Sequence, residues 1–290
     1  MCNFGEGSGA NVEYSKDLKT WEPINTTTSG YGFGVTLASG DKVYFRGNNP
    51  DGFNKSSTDY TNFEILKKVS ASGNVMSLID PSCAATTIPR EYCFWELFSG
   101  CTGLTTAPKL PATTLTEGCY QHMFKKCKGL TQTPLLPATN LAKRCYQYMF
   151  DSCESLESAP TELPATTLAE SCYCGMFYMC TKLENAPKLP ATTLVKSCYS
   201  RMFEACDGLV SAPDLPAPTL VESCYAYMFY SCGKLNYIKC LATDIAATDC
   251  LKQWVNSAGN GSGTFVKATG MSSWPTGMNG IPPSWTIYSF

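Results

Sequence analysis

The sequence predicts an α/β repeat solenoid of about six 26-residue units, with a small N-terminal β-domain before it and a C-terminal cap after it. Three observations carry that expectation. A unit of the form C-Y-x-x-M-F-x-x-C-x-x-L-x-x-A-P-x-L-P-A-T-T-L recurs, most clearly from Cys172 through Pro187 to Leu194. Its first cysteine falls at Cys93, Cys119, Cys145, Cys172, Cys198, Cys224 and Cys250, in steps of 26, 26, 27, 26, 26 and 26 residues. Self-similarity at a fixed period of this size marks a solenoid. The texture of the chain also changes on either side of the repeats, which sets the expected division into 1–80, 81–258 and 259–290.

The first region alternates short Val-, Tyr-, Phe- and Thr-rich stretches with turn residues. Asn11-Val12-Glu13-Tyr14 and Thr20-Trp21-Glu22 flank a polar loop and read as a hairpin. Gly34-Val35-Thr36-Leu37 and Lys42-Val43-Tyr44-Phe45-Arg46 read as a second. Phe63-Glu64-Ile65-Leu66 and Asn74-Val75-Met76-Ser77-Leu78-Ile79, separated by Ser72-Gly73, read as a third pair of strands. A sandwich-like β-domain against the first repeat is the expectation, because a terminal repeat has one apolar side with no neighbour.

Within a unit, Cys119, Tyr120, Met123, Phe124 and Cys127 form a stripe that fits one face of an α-helix. Glu117, Gln121, His122, Lys125 and Lys126 are polar and should face solvent. Leu130-x-x-Thr133-Pro134 is too short for a helix and reads as a brief strand, stacked in parallel on its counterparts. The prolines at 108, 134, 160, 187 and 213 remove a ladder donor, so the strand should end there. Pro111 and its counterparts hold the connector extended. The paired threonines, such as Thr113-Thr114, are expected to cap the next helix. The single 27-residue step comes from an extra residue at Thr161-Glu162, within a connector. In the last unit Ile238-Lys239 replace Ala-Pro, Trp254 takes the methionine position and Ala258 the second cysteine position. Thr264-Phe265-Val266-Lys267 and Trp285-Thr286-Ile287-Tyr288 then read as a closing, hairpin-like pair.

Length and composition narrow the functional classes. The 290 residues are 44% apolar and only 16% charged, with a net charge of −2. The basic residues form no stripe, so no nucleic-acid partner is expected. No run of about 18 apolar residues occurs, so no membrane insertion is expected. Residues 1–7 have neither the basic nor the apolar region of a signal peptide. Thirteen of the seventeen cysteines stand in two repeat columns, the second at Cys101, Cys127, Cys153, Cys180, Cys206 and Cys232. A residue recurring at one structural position is most simply a small buried hydrophobe, with some disulfides as the alternative. With no C-x-x-C pair and His122 as the single histidine, no metal and no cofactor are expected.

Met123-Phe124…Cys127-x-x-Leu130, its five sisters and the L-P-A-T-T-L connector resemble the BspA-like branch of leucine-rich repeats in bacterial surface proteins. The ending Gly263-Thr264-Phe265-Val266…Trp285-Thr286 resembles the close of such proteins, and the N-terminal region resembles the β-domain that precedes these repeats in gut anaerobes. The resemblance implies a leucine-rich repeat horseshoe in a secreted or cell-surface protein engaged in adhesion, or in binding host or matrix proteins. It brings no catalytic residue. A leader upstream of these residues is the matching expectation.

Chemistry-bearing motifs are missing. There is no G-x-S-x-G, no phosphate-binding glycine loop and no H-E-x-x-H. His122 reads as a solvated helix residue, and Glu154, Glu157 and Glu170 lack the paired placement of a glycosidase. Asn25-Thr26-Thr27, Asn54-Lys55-Ser56 and Asn260-Gly261-Ser262 match glycan acceptors, a pattern common by chance. The expected function is therefore not enzymatic. A curved solenoid presents a concave sheet, and its outward positions are the two residues after each unit's leucine. These are Thr105, Thr106, Thr131, Gln132, Glu157, Ser158, Glu184, Asn185, Val210, Ser211, Asn236 and Tyr237. They vary between units while the core positions do not, as a recognition face for a protein or glycan would. The competing reading is a passive spacer or assembly component of a cell envelope or virion.

Overall fold

The computed structural model describes residues 2–4, 9–24 and 33–290. It is a stack of parallel rungs, one per repeat, built on a single hydrophobic core that runs from Ala10 to Trp285. Each full rung sends in both cysteines, an aromatic residue, a methionine or leucine, a phenylalanine and the strand-side leucine, almost all at 0–1% exposure. Burying one such large side chain contributes roughly 1.5–3 kcal/mol. The phenylalanines stack in parallel and offset, with Phe124–Phe150 centroids 5.5 Å apart and planes 2° apart. The tyrosines form a second stack, with Tyr120–Tyr146 at 5.9 Å and 1°. Offset stacking of this kind adds to area burial.

The helix expected in each unit is corrected by the structure: the described residues contain no α-helix. The segment is instead a ribbon of overlapping turns. Gln121, Met123, Lys125 and Cys127 donate their N–H to the carbonyl three residues back, in Gly118, Tyr120, His122 and Phe124. The intervening N–H groups of Tyr120, His122, Phe124 and Lys126 donate to Cys145, Gln147, Met149 and Asp151 of the next rung. Every fourth residue is left-handed, as at Gly118, His122 and Lys126 with φ of 58, 57 and 59°. The apolar pair therefore recurs every four residues, not every 3.6. Packed helices need 8–10 Å between axes, whereas these rungs stack their rings at 5.5–6.1 Å. The ribbon satisfies its backbone across that short spacing and a helix could not.

The threonine pairs have no helix to cap. Thr113 and Thr114 donate their backbone N–H to the Thr86 carbonyl of the preceding unit, and Thr87 bridges Thr114 in parallel.

The second cysteine column has a polar role as well as a packing one. Cys127, Cys153, Cys180, Cys206 and Cys232 each donate their thiol to the phenylalanine carbonyl of the preceding rung, at 3.0–3.2 Å. The sixteen described cysteine side chains are thiols outside any disulfide, and of them only Cys83 is exposed.

On the other side of the rungs, regular strands are fewer than the pattern suggests. The named strands are β1 (Cys2–Phe4), β2 (Val12–Ser15), β3 (Glu22–Ile24), β4 (Gly34–Val35), β5 (Tyr44–Gly47), β6 (Phe63–Ile65), β7 (Val69–Ser70), β8 (Leu104–Thr106), β9 (Tyr237–Cys240), β10 (Thr264–Lys267) and β11 (Thr286–Ser289). Between β8 and β9 the rungs are joined here by single parallel bridges, Gln132 to Ser158, Asn185 to Ser211 and Ser211 to Tyr237. The prolines cut the ladder short: the unit with Ile238-Lys239 in their place runs four strand residues.

The first expected hairpin is present, with β2 antiparallel to β3. The second is not. β4 pairs with β1, whereas β5 pairs with β2, so the two stretches belong to different sheets. Of the third pair, β6 pairs with β1, but Val75–Leu78 is a 3-10 turn capped by the Asn74 side chain. Val75, Met76 and Leu78 are buried together from that turn. The closing pair is parallel rather than a hairpin: β9, β10 and β11 lie side by side in one parallel sheet. The tail therefore adds rungs to the stack.

Candidate functional site

The turn and strand sides give the molecule two long faces. On the strand side, the parallel bridges line up the residues singled out from the sequence. Thr106, Thr131, Gln132, Glu157, Ser158, Glu184, Asn185, Val210, Ser211 and Asn236 are exposed, and Thr105 and Tyr237 are half-buried. Glu157 and Ser158 donate their N–H to the Thr131 carbonyl, and Asn236 donates to Val210 at 2.9 Å. At the N-terminal end the row is tied down by side chains. Thr105 Oγ1 donates to the Val69 carbonyl at 3.1 Å and Thr106 Oγ1 to Ala71 at 2.8 Å. The backbone is thus occupied in the ladder, and side chains are what the row offers to solvent.

The extra residue lies beside this row. Ser158 sits 26 residues from its partner Gln132, whereas the next step along the row, to Asn185, is 27. Register returns at Glu162, which bridges Lys188 at 26. The irregularity is absorbed at 159–162, in the connector.

His122 differs from its reading as a solvated residue. Its ring is half-buried, stacked on Tyr148 at 5.5 Å and set edge-on to Trp95 at 6.3 Å. Burial and the neighbouring Lys125 cation lower its pKa to about 4, so it is neutral at pH 7. Its buried Nδ1 has no hydrogen-bond partner. Buried thiols of the first repeat column are equally unsuited to chemistry: burial pushes Cys93, Cys119, Cys172 and Cys224 up to about 12. A thiol held protonated is neither a nucleophile nor a ready metal ligand. Among the described residues no three His, Cys, Asp or Glu side chains are grouped to hold a metal ion. No helix of the described residues is long and apolar enough to cross a membrane.

Two of the glycan-acceptor tripeptides can be placed. Asn54 is fully buried, donating to the Trp95 carbonyl at 3.1 Å and accepting from the Thr61 N–H at 2.8 Å. Asn260 is exposed. Asn25-Thr26-Thr27 lies outside the described residues.

Parallel rungs with one inward leucine each, joined by a short strand-side ladder, define a leucine-rich repeat solenoid. Residues 95–176 and 170–246, together just over half of the chain, match the BspA type Leucine rich repeat region in six copies. The chain belongs to that family. No curated protein and no solved structure matches it. Leucine-rich repeats are in general non-enzymatic scaffolds that mediate protein binding, and the proteins of this family are typically secreted or displayed at the cell surface.

Sequence reasoning missed the face formed by the turn ribbon. It treated the positions between the buried pairs as uniformly solvated, but Trp95, Tyr148, Tyr178, Tyr227 and Tyr230 gather there. The signal was available. Aligning the units by column, rather than reading one unit as a sample, places the four tyrosines in two columns, with Trp95 in the column beside them.

Proposed function

We propose that this protein is a non-enzymatic recognition module of a bacterial surface or secreted protein, binding a protein or glycan ligand through the strand-side row. The observation that carries the reading is the contrast between columns. Inward positions repeat almost unchanged from rung to rung, while Glu157-Ser158, Glu184-Asn185, Val210-Ser211 and Asn236-Tyr237 differ and are mostly exposed. Because the scaffold is built by its core, those side chains are free to be chosen for a ligand. Many small polar contacts on a pre-formed surface keep the ordering cost of binding low. In this reading residues 1–80 cover the first rung, 81–258 form the binding solenoid and 259–290 close its other end.

The test is binding of the purified protein to arrays of extracellular-matrix proteins and glycans. It is repeated with Glu157→Gln, Glu184→Gln and Tyr237→Ser combined. A hit that weakens at least tenfold, with the melting transition unchanged, is the expected result. A hit indifferent to all three changes removes the row as the interface, and no hit in either array favours the spacer.

A further inference from the structure

The turn ribbon carries a second face whose composition the fold does not require. Two columns of the ribbon point away from the core, at the third and sixth residues after each unit's first cysteine. They hold His122, Tyr148, Arg201 and Tyr227 in one, and Tyr178, Glu204 and Tyr230 in the other. The same columns hold Gly175 and Gln253, or Ser99 and Asn256, in other units. The rungs therefore form with small or plain polar residues at these places. Moreover, the third-residue column is left-handed, with φ of 57, 50, 58 and 58° at His122, Tyr148, Arg201 and Tyr227. Bulky residues are uncommon in that region, and glycine adopts it without strain.

The rings are also held in place. Tyr60 meets Trp95 edge-on at 4.4 Å, and Trp95 leads through His122 to Tyr148. Tyr148 lies over Gly175 and meets Tyr178 edge-on at 6.0 Å. The Arg201 guanidinium sits 4.1 Å over Tyr227 and donates to Glu204 at 2.7 Å. Tyr, Trp and Arg are the residues that dominate protein–protein hot spots, and fixing them beforehand lowers the cost of ordering an interface.

The polar groups on this face are unbalanced. Its carboxylates are engaged: Glu96 by the Tyr60 hydroxyl, Asp151 by Lys125 at 3.5 Å and Glu204 by Arg201. Among the described residues, exposed Lys126 forms no salt bridge and acts on Glu96 only beyond contact distance, and the Tyr178, Tyr227 and Tyr230 hydroxyls have no hydrogen-bond partner. Arg201 keeps N–H groups beyond the one given to Glu204. The unmet groups are donors and a cation. Only His122 and Tyr148 stack in parallel on this face; the other ring pairs meet edge-on or tilted. We infer that the turn face is a second interaction surface, separate from the strand-side row, which takes an extended acidic segment of a partner protein.

Fluorescein-labelled poly-L-glutamate is the probe, followed by fluorescence anisotropy with the whole chain. The variant replaces Tyr148→Gln, Arg201→Gln, Tyr227→Gln, Tyr178→Asn and Tyr230→Asn, borrowing the residue types that the last unit already carries at Gln253 and Asn256. The expected result is binding that rises as salt is lowered and falls at least tenfold in this variant. Binding should survive the combined Glu157, Glu184 and Tyr237 changes, which separates this surface from the strand-side row. Three results overturn the inference: no binding of poly-L-glutamate, equal binding by the variant, or binding of an uncharged β-glucan in its place. A melting transition shared by wild type and variant excludes loss of fold as the cause.

Discussion

Gly175 occupies a column in which the six sister positions, from Glu96 to Gln253, all carry larger side chains. Its φ of 61° is open to glycine at no cost. The space where its Cβ would stand is filled by the Tyr148 ring of the preceding rung. The same pairing recurs at Gly118, over which Tyr92 lies. Gly175→Ala is therefore expected to lose about 1–3 kcal/mol, through left-handed strain and displacement of the ring. Urea unfolding of a double-mutant cycle with Tyr148→Gln measures it. A coupling near zero would mean that the ring does not rest on the glycine.

At the scale of the element, the ribbon and the connector respond in opposite ways to a change of length. The ribbon alternates its hydrogen bonds residue by residue, so removing Lys126 would turn donors meant for the next rung back into the turn. It would also rotate Cys127 out of the core. The connector already tolerates the extra residue near Thr161. Deleting Thr161, which restores a 26-residue step, should change stability by less than about 1 kcal/mol, in line with the weak length dependence of loops. Deleting Lys126 should abolish the cooperative transition seen by circular dichroism on heating. Equal tolerance of both deletions would contradict the ribbon. Ion pairs between rungs, Lys128–Glu154 and Lys196–Glu222 at 2.7 Å and Arg144–Glu117 at 3.5 Å, help to keep register. Being exposed and screened by solvent, each contributes little to stability.

At the scale of the whole molecule, each rung meets only its neighbours, so stability is a sum of rungs and interfaces. Phe177 stacks on Phe150 at 5.7 Å and on Phe203 at 5.6 Å, in the middle of the stack. Phe177→Ala is expected to cost about 3–5 kcal/mol. Hydrogen exchange should show the loss of protection first between residues 145 and 206, with amides near Val12 and Phe265 slower to follow. Protection falling evenly along the chain would instead show one cooperative unit.

The repeat period, the inward columns and the position of the extra residue were all legible in the sequence, because they depend on residues recurring at fixed spacing. Cys119, Tyr120, Met123, Phe124, Cys127 and Leu130 were read as core and are buried. The helix was not distinguishable from the ribbon on the same evidence. From Cys119 to Cys127 the stripe spans about two turns, over which periods of 3.6 and 4.0 drift apart by less than one residue. Only contact with the next rung decides between them, since the ribbon's second set of hydrogen bonds exists only when that rung is in place. The partners of β4, β5, β10 and β11 were decided in the same way, by which edge lay nearest in space rather than in sequence. The sequence by itself determined how often the chain turns and which side chains go inside. The tertiary structure decided what each turn is made of, because backbone groups choose their partners from the neighbouring rung.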